Sequence, residues 1–107
     1  MEQSISASVL DTLPQADEAK CDALLRRELA AGCIKLVILD DDPTGVQTVH
    51  DVSVYTDWSY ESVLSGFREE GRLFFILTNS RSFTAERTRR VHAEIAEAAA
   101  RASRETG

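Results

Sequence analysis

The sequence predicts an α/β fold: a mainly parallel sheet in three layers, with helices on both faces. Three observations carry this expectation. Two short runs, residues 34–39 and 73–77, are almost continuously apolar, the pattern of strands covered on both sides rather than of half-exposed ones. Stretches with apolar residues at helical spacing alternate with those runs, which is how a chain builds parallel strands joined by helices. Each apolar run also stops abruptly at polar, turn-forming residues: three aspartates, a proline, a threonine and a glycine after the first, and Thr78-Asn79-Ser80-Arg81 after the second.

The elements follow in order. Residues 1–16 have no periodicity and include Pro14, so they read as an arm; residues 17–107 read as the α/β domain proper. Cys21, Leu24, Leu25 and Leu29 recur at helical spacing over residues 17–31, and Gly32 stands where a left-handed C-cap belongs. After the strand at 34–39, Val52, Val54 and Tyr55 mark a second short strand. Ser59 is placed to cap a helix with the face Tyr60, Val63, Leu64 and Phe67, closed by Gly71. The strand 73–77 comes next. Thr84 then caps a long helix with a stripe at Thr88, Val91, Ile95, Ala98 and Ala102.

This order yields at most three strands and finishes on a helix, where a parallel sheet calls for another strand. The expectation is an incomplete, N-terminal piece of a larger protein, with unpaired sheet edges that favour self-association.

Composition narrows the function classes. The chain has 107 residues, 43% hydrophobic and 28% charged, with a formal net charge of −6. No basic stripe with interleaved aromatics is present, so nucleic acid is not the expected partner. No run has the length of a signal peptide or a membrane span, and a cytoplasmic protein is expected. Cys21 and Cys33 lack a C-x-x-C pattern and a histidine at ligand spacing, which predicts two buried thiols rather than a metal site. His50, His92 and Trp58 lack a partner pattern and read as surface or packing residues.

The chemistry is expected at the carboxyl ends of the strands, where open α/β sheets bind ligands. Asp40, Asp41 and Asp42 stand together there, and neighbouring carboxylates repel unless a cation, a proton or a hydroxyl-rich ligand offsets them. Pro43 stiffens the loop, and Gly45 allows the backbone to turn or approach a ligand. Carboxylates accept hydrogen bonds from sugar hydroxyls or hold magnesium, while Arg81 could grip an anion through two parallel bonds. A polyhydroxylated acid fits this inventory.

Three resemblances compete for the acidic loop. Asp40-x-Asp42-x-Thr44, with ILTNS downstream, resembles the motifs of haloacid dehalogenase-like phosphatases, which would make Asp40 a nucleophile and Asp42 an acid/base. Here, however, Gly45 replaces the apolar residue usual after the threonine, and that family's later lysine and acidic pair are missing. LVILDDDP looks like the opening of a response-regulator receiver domain, but the strand at 73–77 ends in Thr78 and Asn79 where a phosphoacceptor aspartate is needed. LDDDPTGVQTVHDVSVYTDWS followed by FFILTNSRSFTAERTRR resembles the N-terminal, sugar-binding domain of the four-carbon acid sugar kinases over residues 35–92. A D-D-x-T-G signature after the first strand, with a downstream TNSR, carries that likeness.

The kinase resemblance implies ATP-dependent phosphorylation of a hydroxyl on a tetronate-like acid such as threonate or erythronate. It implies ATP and Mg2+ bound mainly by a C-terminal nucleotide-binding domain outside these residues, which themselves contain no G-x-x-x-x-G-K-[ST] run. The extra aspartate lets the signature pair fall on Asp41 and Asp42 or on Asp40 and Asp41. The implied roles are Asp41 or Asp42 orienting the attacking hydroxyl, with Asp40, Thr44, Gly45, Ser80 and Arg81 binding the substrate, Asp40 by supporting the loop and Ser80 and Arg81 by gripping the substrate carboxylate. A non-catalytic ligand-binding module is the remaining alternative.

Overall fold

A computed structural model describes residues 4–107. The chain divides into two compact units, one ending at Cys33 and the other running from Ile34 to Gly107.

The first unit holds a short 3-10 stretch, Ala7–Thr12, and helix α1, Glu18–Ala31. Asp17 caps α1 by accepting from the Lys20 N–H at 3.0 Å. Two expectations fail here. Gly32 is extended (φ −105°, ψ 144°) rather than left-handed, and the helix ends simply with the Gly32 N–H donating to the Glu28 carbonyl. Cys21 and Cys33 are exposed free thiols; no residue of α1, which carries Cys21, is buried, and its leucine stripe finds no cover within the unit.

The second unit is a mixed α/β fold with a small parallel sheet. Its strands are β1 (Leu36–Asp40), β2 (Val54–Tyr55) and β3 (Leu73–Leu77), and its helices are α2 (Tyr60–Arg68) and α3 (Ala85–Thr106). The spatial order is β1-β3-β2, with β3 parallel to both neighbours. Leu36 pairs with Leu73 and Asp40 with Leu77, so the two strands end level. β3 is therefore central, and Phe74, Phe75 and Ile76 are all buried. β1 is an edge strand, and the prediction that it is covered on both faces does not hold: Leu36 and Leu39 stay exposed. Apolar continuity alone does not distinguish an edge from a centre, since strand order is fixed by tertiary contacts.

The core forms on one face of the sheet. Phe74 and Ile76 pack with Val63 of α2 and with Val91, Ile95 and Ala102 of α3, while Val37 and Tyr55 flank them. Alternation along a strand puts Val37, Phe74, Ile76 and Tyr55 on that same face. Edge-to-face contacts from Tyr55 and Phe67 hold the Phe74 ring, at centroid distances of 5.6 and 5.7 Å. Gly66 allows α2 to lie directly on it, since a Cβ there would come within 2.5 Å of Phe74 Cε2.

Both expected caps form: Ser59 Oγ accepts from Ser62 N–H and Thr84 Oγ1 from Arg87 N–H, each at 3.3 Å. The α2 terminus differs from expectation. Glu69, not Gly71, is its C-cap, and the Lys35 ammonium donates to the Glu69 carbonyl (2.5 Å) and to that of Gly71. A cation there satisfies the C-cap carbonyl that the helix leaves open.

Candidate functional site

Because β1 and β3 are adjacent, parallel and level, the two polar loops leave the same edge side by side. The backbone ties them together. Asp40 O accepts from Thr78 N–H (2.8 Å) and from the Thr78 hydroxyl (3.0 Å), and Asp41 O accepts from Arg81 N–H (3.3 Å). Asn79 turns the second loop in the left-handed region (φ 53°, ψ 30°), which asparagine tolerates better than most side chains. A 3-10 turn, Ser80–Ser82, follows. Ser80 is buried, with its hydroxyl 2.9 Å from that of Thr78 in a hydrogen bond.

The three aspartates have different surroundings. Asp40 is only 8% exposed; its Oδ1 accepts from Asp42 N–H at 3.1 Å, and its Oδ2 is buried without a hydrogen-bond partner. Gly45 lies against this carboxylate, since a Cβ there would fall 2.6 Å from Asp40 Cγ. Asp42 Oδ1 accepts from the Thr44 hydroxyl (2.5 Å) and from Thr44 N–H (2.8 Å), while its Oδ2 meets Arg81 Nη1 at 2.6 Å. Those Thr44 bonds, with help from the Arg81 charge, hold the Asp42 carboxyl below the ordinary carboxylate range. Asp41 faces the guanidinium with both oxygens, Oδ1 to Nη2 at 3.2 Å and Oδ2 to Nε at 3.4 Å.

Arg81 thus bridges Asp41 and Asp42, and the Asp41 bond together with both negative charges pushes its guanidinium pKa upward. Its single positive charge lies against both carboxylates. Among the described residues no group of three or more His, Cys, Asp or Glu is arranged to hold a metal ion.

Six of the seven residues expected at the site, Asp40, Asp41, Asp42, Thr44, Gly45 and Arg81, form one connected cluster, with Ser80 joined beneath it through Thr78. Thr78, which the sequence places at this edge without a role in the kinase reading, is the residue that joins the two loops. Its position directly after a buried strand was the available signal, since a hydroxyl there can reach the carbonyl ending the neighbouring strand. The pairing of Arg81 with the aspartates was also not foreseen, although opposite charges on two loops at one sheet edge point to it.

Outside the cluster, His50 Nδ1 lies 2.7 Å from Asp51 Oδ2 in an exposed pair, and Asp51 has a positive φ of 57°. Trp58 is half-buried and donates to Glu94 at 3.3 Å, beside an open groove of about 510 Å³ also lined by Tyr60, Arg101 and Arg104. Among the described residues, no helix is long and apolar enough to cross a membrane.

Comparison with known proteins gives a family match. The model of the sugar-binding N-terminal domain matches residues 36–106, about two thirds of the chain. No match was found among curated proteins or among solved structures. The matched span runs from the start of β1 to the end of α3 and contains every residue of the cluster. The chain belongs to the sugar-binding N-terminal domain family, that of the four-carbon acid sugar kinases.

Proposed function

We propose that this chain is the acid-sugar-binding part of an ATP-dependent kinase that phosphorylates a hydroxyl of a four-carbon sugar acid. The observation that carries the reading is the Arg81 guanidinium held between Asp41 and Asp42 at the carboxyl edge of the sheet. One such cluster meets both chemical demands of the ligand, an anion-binding fork for its carboxylate and carboxylate acceptors for its hydroxyls. Thr44 and Gly45 shape the loop around it, and Ser80 supports the loop from below through Thr78.

In phosphoryl transfer, positioning and charge stabilisation dominate. Asp41 or Asp42 accepts the proton of the attacking hydroxyl, whose oxygen bonds to the γ-phosphorus as the bond to the leaving ADP breaks. ATP with its Mg2+ is assigned to a nucleotide-binding domain outside these residues, and ATP-dependent chemistry suits a cytoplasmic setting. The phosphatase alternative requires Asp40 to attack phosphorus, yet one oxygen of Asp40 is buried and the other accepts from Asp42 N–H.

Calorimetric titration of the chain tests the reading. Threonate or erythronate should bind while the neutral tetritols bind far more weakly. Equal affinity for acids and tetritols removes the acid-sugar assignment, and phosphate release from a phosphomonoester without ATP, lost in Asp40→Asn, moves the chain to the phosphatases.

A further inference from the structure

Arg81 and Asp41 together show how the site selects acids. The Asp41 carboxylate meets the guanidinium fork with both oxygens, the same two-bond arrangement that a ligand carboxylate adopts on arginine. Asp42 is bound differently. One of its oxygens is committed to Thr44, only the other reaches Arg81, and its side chain is 22% exposed. Asp41 is 53% exposed and its carboxylate bonds to Arg81 alone among the described residues, while Arg81 is 66% exposed. Of the two acids, Asp41 is the one that solvent or a ligand can replace without disturbing the loop.

We infer that Asp41 occupies the seat of the ligand's carboxylate, so that acid-sugar binding exchanges one carboxylate for another on Arg81 and releases Asp41 to face the ligand's hydroxyls. This rests on the acid-sugar reading above and assigns Asp41 a specificity-determining role within it. An exchange replaces one exposed ion pair on Arg81 by another of the same kind, so the number of ion pairs on the guanidinium is unchanged. A neutral polyol offers nothing to take Asp41's place and leaves it bound to the arginine. Acid recognition and the freeing of a proton acceptor then become one event.

The test is a cycle of four proteins, wild type, Asp41→Asn, Arg81→Lys and the double variant, each titrated calorimetrically with threonate and with threitol. Without a competing carboxylate, Asp41→Asn should bind threonate about two- to fivefold more tightly than wild type, the range an exposed ion pair accounts for, with no gain for threitol. The gain should vanish in the Arg81→Lys background, where the planar fork is missing. Threonate binding unchanged or weakened in Asp41→Asn overturns the exchange while leaving the acid-sugar reading intact. A gain that persists with lysine at 81 also overturns it, since relief of general repulsion then suffices. Absence of acid binding in both wild type and Asp41→Asn removes the parent reading and the exchange with it. A second measurement needs no variant: the carboxyl carbon resonance of Asp41 in the wild-type chain should shift as threonate saturates, and a stationary resonance under saturating threonate refutes the exchange.

Discussion

Replacing Gly45 by alanine should destabilise the chain, the reverse of the usual sign at a glycine with an ordinary backbone. Gly45 has no positive φ, and at such positions Gly→Ala commonly stabilises by about 0.4 to 1 kcal/mol through the unfolded state. Here the new methyl would stand 2.6 Å from Asp40 Cγ, well inside van der Waals contact. Asp40 is buried, so its carboxylate has little room to retreat, and moving it breaks the bond from Asp42 N–H. Overpacking costs about 1 to 3 kcal/mol, and a lost hydrogen bond about 1 kcal/mol. Set against the entropic gain, the net loss is about 1 to 3 kcal/mol. Urea unfolding of wild type, Gly45→Ala, Asp40→Ala and the double variant measures it. Removing the Asp40 carboxylate should abolish most of the cost of Gly45→Ala, giving a coupling of at least about 1 kcal/mol between the two sites. Strictly additive effects, or a stabilising Gly45→Ala in the wild-type background, would show that the close approach of Gly45 to Asp40 does not constrain the loop.

Two further predictions concern ionisation. Burial, followed by the bond to Glu69, pushes the Tyr55 hydroxyl up to about 12, so its contribution to stability is complete below about pH 10 and is lost as the pH climbs toward 12; Tyr55→Phe should flatten that alkaline loss, and an ultraviolet titration showing every tyrosine ionising near pH 10 contradicts it. The Asp42 carboxyl is held down chiefly by Thr44, so its contribution is present above about pH 4 and is lost as the pH falls through the lowered value; Thr44→Val should move the Asp42 carboxyl resonance to titrate at higher pH, and an unmoved titration curve would discard the role of the threonine hydroxyl.

The parts of this structure that were legible in the sequence are those decided locally. Ser59 and Thr84 cap helices because a hydroxyl in that position reaches a backbone N–H three residues on, which depends on nothing remote. The stripe Val91, Ile95 and Ala102 is buried as its spacing predicts, whereas the similarly spaced leucines of α1 find no cover. Position relative to other elements was less accessible. β1 and β3 read alike as apolar runs, yet only β3 is flanked on both sides, because β2 pairs with β3 rather than with β1. Gly71 looked like a helix terminator, but the C-cap is Glu69, whose carbonyl accepts from Lys35, far away in sequence and just before β1. At the site, motif spacing brought Asp40 to Gly45 and Thr78 to Arg81 to one edge. Which oxygen meets which nitrogen depended on register, and level strand ends are what bring Arg81 onto Asp41 and Asp42.

The insertion of β3 between two earlier strands also orders events in time. Asp40 and Asp41 meet partners that lie 38 and 40 positions later in the chain, Thr78 and Arg81. Contacts this distant form only after the intervening chain has been closed into a loop, an entropic cost that local helix formation does not carry. As the polypeptide emerges during synthesis, α2 can take shape while the three aspartates remain fully hydrated and mutually repelling. The cluster is assembled only when β3 docks and brings Arg81 onto Asp41 and Asp42. A nascent chain halted before β3 would therefore display the acidic loop without its counter-charge, and the proposed ligand recognition would switch on when β3 docks rather than growing in gradually.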